Sequence, residues 1–450
     1  MDRTELKRLN LRGADLTRKD LSQLNLSGKD LSGAILTGAN LSNSTLAGAD
    51  LADSNLDGAD LSGADLSRTN FRKASLKNAC LKEANLEEAD LSLANLSHAN
   101  LSDANLHSAK LSEAVLKETE LSQAFLQHAN LCSANFERAN LSEADLSGAN
   151  LEHVNLSESD LGEATLSRAD LHNANLKGAR MCNGKLDQAI LRSADLSGAD
   201  LTSANLSEAN FSQAILSDSI LTRSNLSFAF LSGADLSRAR LLQANLEGAD
   251  FYHAILIEAD LSETDFSGVH LRRADLSDAN LNKTILLKSD LRECQLVRSD
   301  LSSAHLVEAH LNNANLSHAN LNGADMSLTV LRGADLRGAD LLKTNLIRSD
   351  LSEANLTGSH LGGTNLRGAK LRKAILANAN LSGVNVRNDD LTGTDFRGAN
   401  LRLIHHLSIE QIQSAIIDKQ TILPPNLKIT WTTETDFICE EIERKRKTSD

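Results

Sequence analysis

From Leu6 to Leu401 the chain keeps a strict period of five: each of the 80 slots in that register is apolar, filled by 71 Leu, 6 Phe, 2 Met and Val386. On an α-helix a step of five advances about 140°, which would smear the leucines around every face. On one straight strand the odd period would send successive leucines to opposite faces, which a half-buried sheet does not tolerate. The remaining solution is a chain that turns once per repeat, so that each short extended piece aims its leucine at a common axis. That pattern predicts a β-solenoid.

A second register supports it. Two residues before each central apolar residue, from position 9 to position 399, 79 slots hold 52 Ala and 22 Ser, Thr, Gly, Cys or Val. A wide side chain alternating with a narrow one fills a thin cylinder at interior density, and larger residues in both lanes would overpack it. The other three slots carry Asp or Asn before the Leu, then commonly Ser, then Gly, Glu, Arg or His. These are residues of solvated turns, so they are expected to face water.

Strings such as ADLSGADL at 59–66, ANLSEADLSGANL at 139–151 and ADLRGADL at 334–341 make the chain resemble the pentapeptide-repeat family over roughly nine tenths of its length. The resemblance implies an all-β solenoid, a right-handed quadrilateral β-helix with four repeats per coil. Eighty repeats would then make about 20 coils, and about 4.8 Å per coil would give a length of roughly 96 Å. The expected organisation is an N-terminal end at 1–9, the repeat β-helix at 10–401, a C-terminal cap at 402–430 and a polar, mobile tail at 431–450.

Both ends of a solenoid expose unpaired strand edges and must be blunted. After Leu401 the period stops, and Leu407-Ser408-Ile409-Glu410-Gln411-Ile412 reads as a helix start, with Ser408 as N-cap, Gln411 closing a capping box and Leu407 stapled to Ile412. A helix over about 409–418 would place Ile409, Ile412, Ile416 and Ile417 on one face. It would serve as a lid over the last coil, or as a homodimer helix of the kind the family resemblance allows. At the other end Leu9, Lys19, Leu24 and Lys29 occupy narrow inward slots. Lysine cannot sit in a dry interior, so the first coils are expected to splay, with the lysines snorkelling outward. Asp389 is the matching anomaly near the C-terminal end.

Composition narrows the function classes. Aromatics are 3%, and both prolines, Pro424 and Pro425, follow the repeat, where neither breaks a ladder. Cysteines 80, 132, 182, 294 and 439 include no pair 20 apart, which argues against disulfides and zinc. No signal-like apolar region opens the chain and no run of 18 apolar residues occurs, so no membrane span and a cytoplasmic location are expected, with delivery by a non-Sec route left open. None of the 13 histidines has another 20 positions away, and the nearest outward pair, His305 and His310, falls on adjacent faces. A P-loop echo at 363–370 fails, because Ala369 precedes Lys370 and Leu371 stands where Ser or Thr should hold magnesium. No catalytic residues, metal or cofactor are expected.

Net charge is −14, and residues 101–300 carry 17 basic and 29 acidic residues, a net of −12. Some family members are gyrase-directed proteins whose acidic rod resembles DNA. Duplex DNA carries one charge per roughly 1.7 Å, so ten coils spanning about 48 Å would need about 28 negative charges, more than twice what is present. The family's quinolone-resistance members also carry inserted loops, and none interrupts 6–401 here. Against that stands a set of apolar residues in outward slots: Ile190, Ile215, Ile220, Phe230 and Ile255 replace Asp or Asn, and Phe228, Leu242, Tyr252 and Ile257 replace Ser or Gly. With 20 residues per coil, Phe230 and Tyr252 are expected on one face with Ile190 below, and Ile215, Ile255 and Ile257 on the next. Contiguous exposed apolar surface marks an interface. The reading is a non-catalytic, rigid protein–protein interaction scaffold that binds another protein and not nucleic acid directly, in an effector or adaptor role. The alternative is a DNA-mimicking modulator of gyrase.

Overall fold

A computed structural model describes residues 10–442, and the expectations for 1–9, Leu9 and the last eight residues lie outside that range. The chain divides into two compact units, Met1–Asp235 and Leu236–Asp450. Both are built from the same coil. In the first unit residues pair in parallel with partners 20 positions on, from Asp15↔Ile35 to Ile215↔Asp235; in the second the same spacing runs from Arg240↔Asp260 to Asn385↔His405. Four such ladders, one per repeat, make up each coil.

Backbone hydrogen bonding explains the period. In a repeat of the first unit, Leu141 N donates to Asp160 O at 2.7 Å, Glu143 N to Gly162 O at 2.9 Å, and Asp145 N to Ala124 O at 3.0 Å. Ala144 N closes a turn onto Leu141 O at 3.1 Å. Ser142 N, which no carbonyl reaches, donates to the side chain of Asn140 at 3.0 Å. All five amides are thereby used, three between coils and two within the turn. Leu301 to His305 in the second unit repeats the scheme, with Ser302 N on Asp300 Oδ1 at 3.0 Å. Where an Asp or Asn precedes the Leu, its side chain is therefore the acceptor that helps the chain turn, an Asx arrangement that recurs along the solenoid but is absent at slots such as Ile190 and Ile215.

The third residue of each turn takes a positive φ, near 59° at Glu143 and 57° at Ser303, as a type II turn demands. Most of these residues are not glycine. From Gly13 to Gly398, however, none at this slot is Val, Ile, Thr or Pro. A branched Cβ clashes in the left-handed region, which explains the exclusion.

The two inward lanes hold as expected, with Leu141, Ala144, Phe136 and Leu301 without measurable exposure. Where the narrow lane carries a hydroxyl, a carbonyl of the inward lane usually accepts from it: Thr119 Oγ1 donates to Leu96 O at 3.1 Å and Ser159 Oγ to Leu156 O at 2.7 Å, while Ser219 Oγ is buried with no partner. Extended structure in the coils is limited to single-residue bridges. Among the described residues the two longer strands, β1 (Leu427–Trp431) and β2 (Phe437–Glu441), lie beyond the repeat.

Three expectations about the ends are corrected. The early coils are not splayed, because Lys19 N still closes its turn on Leu16 O at 3.0 Å and Lys29 N on Leu26 O at 3.1 Å. Lys19 is exposed and Lys29 half-buried, so the long stems carry the ammonium groups out without opening the backbone, and Leu24 is simply buried. Helix α1 spans only Ile409–Ser414. It stops there because the ladder recaptures the chain: Ala415 is extended, Ile416 N donates to Thr394 O, and Phe396 N donates back to Ile416 O, each at 2.8 Å. Ile422 bridges Asn400 in the same way. Finally, the tail expected to be mobile from 431 instead supplies β2, which pairs antiparallel with β1 and sets the Phe437 ring 5.5 Å from Trp431. Alternating apolar residues in FICEE, with Cys439 buried, give that strand an inner face.

The turn geometry predicts a substitution pattern. Ser193, exposed at φ 55° with no side-chain bond of its own in the turn, should tolerate Gly. Ser193→Val should cost about 1 kcal/mol or more, because the branched side chain meets the left-handed backbone. Thermal melts of both variants check this, and equal melts would refute the steric explanation.

Candidate interaction surface

Outward side chains are heavily committed to one another between coils. Arg138 pairs with Glu158 at 2.8 Å, Lys117 with Glu137 at 2.8 Å and Arg298 with Asp278 at 2.5 Å. Asn side chains form runs in the same direction: Asn155 Nδ2 donates to Asn135 Oδ1 at 3.1 Å and Asn175 Nδ2 to Asn155 Oδ1 at 2.9 Å. The Lys117 ammonium holds the Glu137 carboxyl below the usual range, and the hydrogen bond from Arg298 does the same for Asp278. Exposed pairs of this kind add little to stability, because water and salt screen them. Such pairs answer part of the acidic surface from the neighbouring coil.

Against this polar background the nominated apolar residues fall in both units. In the first unit, Phe228 is 53% and Phe230 52% exposed, Ile190 and Ile215 are also exposed, and Ile220 is half-buried. Ile190 and Phe230 share a ladder but are separated by Asn210, and Ile215 lies on another ladder between Asp195 and Asp235. The apolar residues are thus interleaved with polar ones along each ladder. In the second unit Tyr252 and Ile255 are exposed, while Leu242 and Ile257 are half-buried. Tyr252 leans on His253, ring centroids 4.5 Å apart, and its hydroxyl accepts from Arg273 at 3.4 Å.

One feature escaped the sequence reading. Phe125, 49% exposed, borders a shallow depression with Glu87, Asn105, His107, Gln127 and His128. His107 and His128 meet edge to face, centroids 5.7 Å apart. Their spacing is 21, not 20, so a search for stacked histidines at the coil period passes over them. The offset works because a residue just after the Leu lies diagonally below the next position one coil on.

The cap residues do not share a face. Ile412 and Ile417 are buried, Ile409 is half-buried and Ile416 is exposed, because α1 ends before Ile416 and the chain re-enters the ladder. The capping box is present, with Ser408 Oγ accepting from Gln411 N at 3.2 Å and Gln411 Oε1 accepting from Ser408 N at 2.8 Å. Gln411 also donates to Val386 O at 3.1 Å and Asp389 O at 3.0 Å, which ties the helix to the last regular coils. Asp389 itself fills a narrow inward slot. Its Oδ1 accepts from Ala369 N at 3.1 Å, while Oδ2 is buried with no partner. Burial pushes its pKa from 3.8 up to about 8, against the two amides of Gly368 and Ala369 that favour the charged form.

Among the described residues no three His, Cys, Asp or Glu side chains are grouped as metal ligands would be. All five cysteines are free, and burial pushes the Cys294 thiol well above its ordinary value, which suits a packed side chain rather than a nucleophile. No helix among the described residues is long and apolar enough to cross a membrane.

Coils of 20 residues with a Leu lane, a small-residue lane and an Asx-closed turn define a β-solenoid of four five-residue repeats per coil. The chain belongs to the pentapeptide-repeat family: the profile described as pentapeptide repeats (eight copies) matches from 20–53 through 349–388, with 257–258 alone left out between. Membership makes the solenoid a right-handed β-helix, and proteins of the family are generally non-catalytic structural or interaction proteins. Similar solved structures include HetL, a pentapeptide repeat protein involved in heterocyst differentiation regulation in the cyanobacterium Nostoc sp., at 36% identity over 55% of this chain and 96% of that one, TM-score 0.24. QnrB1, a plasmid-mediated fluoroquinolone resistance protein, is 19% identical over 42% and 88%, TM-score 0.31. Rfr23 from the cyanobacterium Cyanothece is 33% identical over 25% and 63%, TM-score 0.20. No curated protein matches significantly.

The raised Asp389 pKa sets a pH dependence. Between about 4 and 8 the folded chain holds a proton that the unfolded chain has released, so the stabilisation is complete below about pH 4 and lost as pH rises through about 8. Relative to an Asp389→Asn chain, the parent should lose melting temperature from about pH 5 to about pH 8.5. Parallel pH profiles for the two chains would show that this carboxyl does not hold the proton.

Proposed function

We propose that the protein is a non-catalytic, rigid scaffold for protein–protein interaction, and that Phe228 and Phe230 are its principal contact points in the first unit. The observation that carries this is the exposure of two neighbouring aromatic side chains on a mostly polar surface, in a chain with 3% aromatics. Aromatic anchors dominate contact energies because they bury a large area at low entropic cost. A cytoplasmic adaptor and an effector delivered by a non-Sec route both fit, and neither needs a cofactor or metal. The mimicry of duplex DNA toward gyrase draws less support. Many Asp side chains turn one oxygen back onto their own turn amide, and several Glu are neutralised by the next coil, as at Glu137, Glu158 and Glu293.

We also propose that 402–430 is a lid and not a dimer helix, since Ile412, the central apolar residue of α1, is fully buried in its own chain. Removal of 402–450 would free the edge of the last coil and should cause concentration-dependent association in light scattering. A truncated chain that stays monodisperse and equally stable would count against the lid.

For the scaffold, the double substitution Phe228→Ser with Phe230→Ser should abolish specific capture of partner proteins while leaving the melt unchanged, because both slots face water. Leu231→Asp, one residue further on but in the buried Leu lane, should cost several kcal/mol by placing an unpaired charge inside and should collapse the local coils. Affinity capture compared quantitatively across parent and variants, with melts alongside, checks this. A double variant that captures the same proteins as the parent would remove Phe228 and Phe230 as contact points.

A further inference from the structure

The longest stretch of the chain without an acidic residue runs between Glu353 and Asp389, and it carries Arg367, Lys370, Arg372, Lys373 and Arg387. All five are exposed. In a chain of net charge −14 this is a reversal of sign, confined to successive coils of the second unit.

The coil geometry concentrates it. Arg367 and Arg387 occupy the same turn position 20 residues apart, with Gly368 N donating to Arg387 O at 3.1 Å. Gly368, bare of a side chain, leaves room for Arg348 to rise from the coil below: a Cβ at Gly368 would lie 3.5 Å from Arg348 Cγ. Three guanidiniums therefore line one corner over three coils, about 10 Å at a pitch of about 4.8 Å. Several arginines at other turns meet a carboxylate on the adjacent coil, as Arg68 does with Glu88, Arg138 with Glu158 and Arg298 with Asp278. Among the described residues Arg348, Arg367 and Arg387 form no ion pair, because the turn slots one coil away hold Leu328, Ile347, Gly368 and one another. Like charges stacked at this spacing repel, a local cost that an added anion would relieve.

The extent of the corner decides which anion. On the ladder beside it, Lys370 lies between Asp350 and Asp390 and is 3.9 Å from the former. Asp390 lies above on that ladder, and Asp325 lies below on the ladder that precedes the turn, so carboxylates bound the corner on both sides. A duplex or a bilayer presents negative charge over a much larger area and would meet those carboxylates as well. A short acidic polypeptide segment would meet only the three guanidiniums, whose planar forks suit carboxylates.

We propose that the corner formed by Arg348, Arg367 and Arg387 is a docking point for an acidic segment of a partner protein. It makes no use of the aromatic contact points, so its test and theirs fail independently.

The experiment uses the full chain and a fluorescein-labelled octaglutamate peptide, with binding followed by anisotropy at about 20 mM and about 300 mM salt. The parent should bind at the lower salt and much more weakly at the higher. Arg348→Gln, Arg367→Gln and Arg387→Gln combined should weaken binding at least about tenfold. The control combination Arg68→Gln, Arg138→Gln and Arg298→Gln, which removes as many charges from paired positions, should change it less than about twofold. If the first combination lowers the melting temperature, Arg387→Gln alone carries the comparison, with about a threefold loss expected. Absence of binding at low salt, or equal losses in the two combinations, overturns the proposal. Tighter and equally corner-dependent binding of a duplex DNA oligonucleotide or of phosphatidylserine vesicles would overturn the assignment to an acidic polypeptide.

Discussion

The structure depends on how the backbone amides of each five-residue repeat are taken up. Three amides reach the neighbouring coils, one closes the turn, and where an Asp or Asn precedes the leucine its side chain takes the fifth. A coil made only of corners and single bridges otherwise leaves that amide without a backbone partner. The Asx side chain is thus structural before it is a surface charge. The positive φ at the third turn position follows from the same geometry, and it explains why side chains as different as Arg, Glu, His, Leu and Phe are admitted there while β-branched ones are not.

The interior obeys an equally simple constraint. A leucine lane and an alanine lane fill the axis, and most hydroxyls that enter the narrow lane donate to a carbonyl within reach, Ser219 excepted. Asp389 breaks this rule. Its carboxyl is too large and too polar for the slot and keeps one oxygen unpartnered. It lies where the regular coils hand over to the C-terminal segment and where Gln411 gathers the carbonyls of Val386 and Asp389. The irregular residue and the helix that anchors there belong to one termination device.

Function is carried by exceptions on the outer surface. Some outward charges are matched by a partner on the adjacent coil, and such pairs leave the net charge of −14 as it is. The local exceptions are the exposed aromatics Phe228 and Phe230 in the first unit, Phe125 with its two histidines, and the unpaired arginines of the second unit. A solenoid offers these exceptions a rigid base, because each side chain is fixed by the coils above and below.

The repeat itself was legible from the sequence because each slot has one physical job. Leu6 to Leu401 declared the period, the Ala lane declared which two positions face inward, and Ser408 with Gln411 declared a helix start. The ban on β-branched residues at the third turn position was also present in the sequence, although its meaning emerged only with the backbone angles. Tertiary structure decided the rest, and for identifiable reasons. Helix α1 ends at Ser414 because Thr394 and Phe396 offer Ile416 a ladder partner, a long-range contact that no local pattern announces. Lys19 and Lys29 leave the backbone intact because their stems are long enough to reach water. The contact of His107 with His128 and the stacking of Arg348 beside Arg367 arise from diagonal neighbours on adjacent coils, one residue out of register with the period. A five-residue pattern specifies which way each side chain points, and the lateral offset between coils specifies whom it meets.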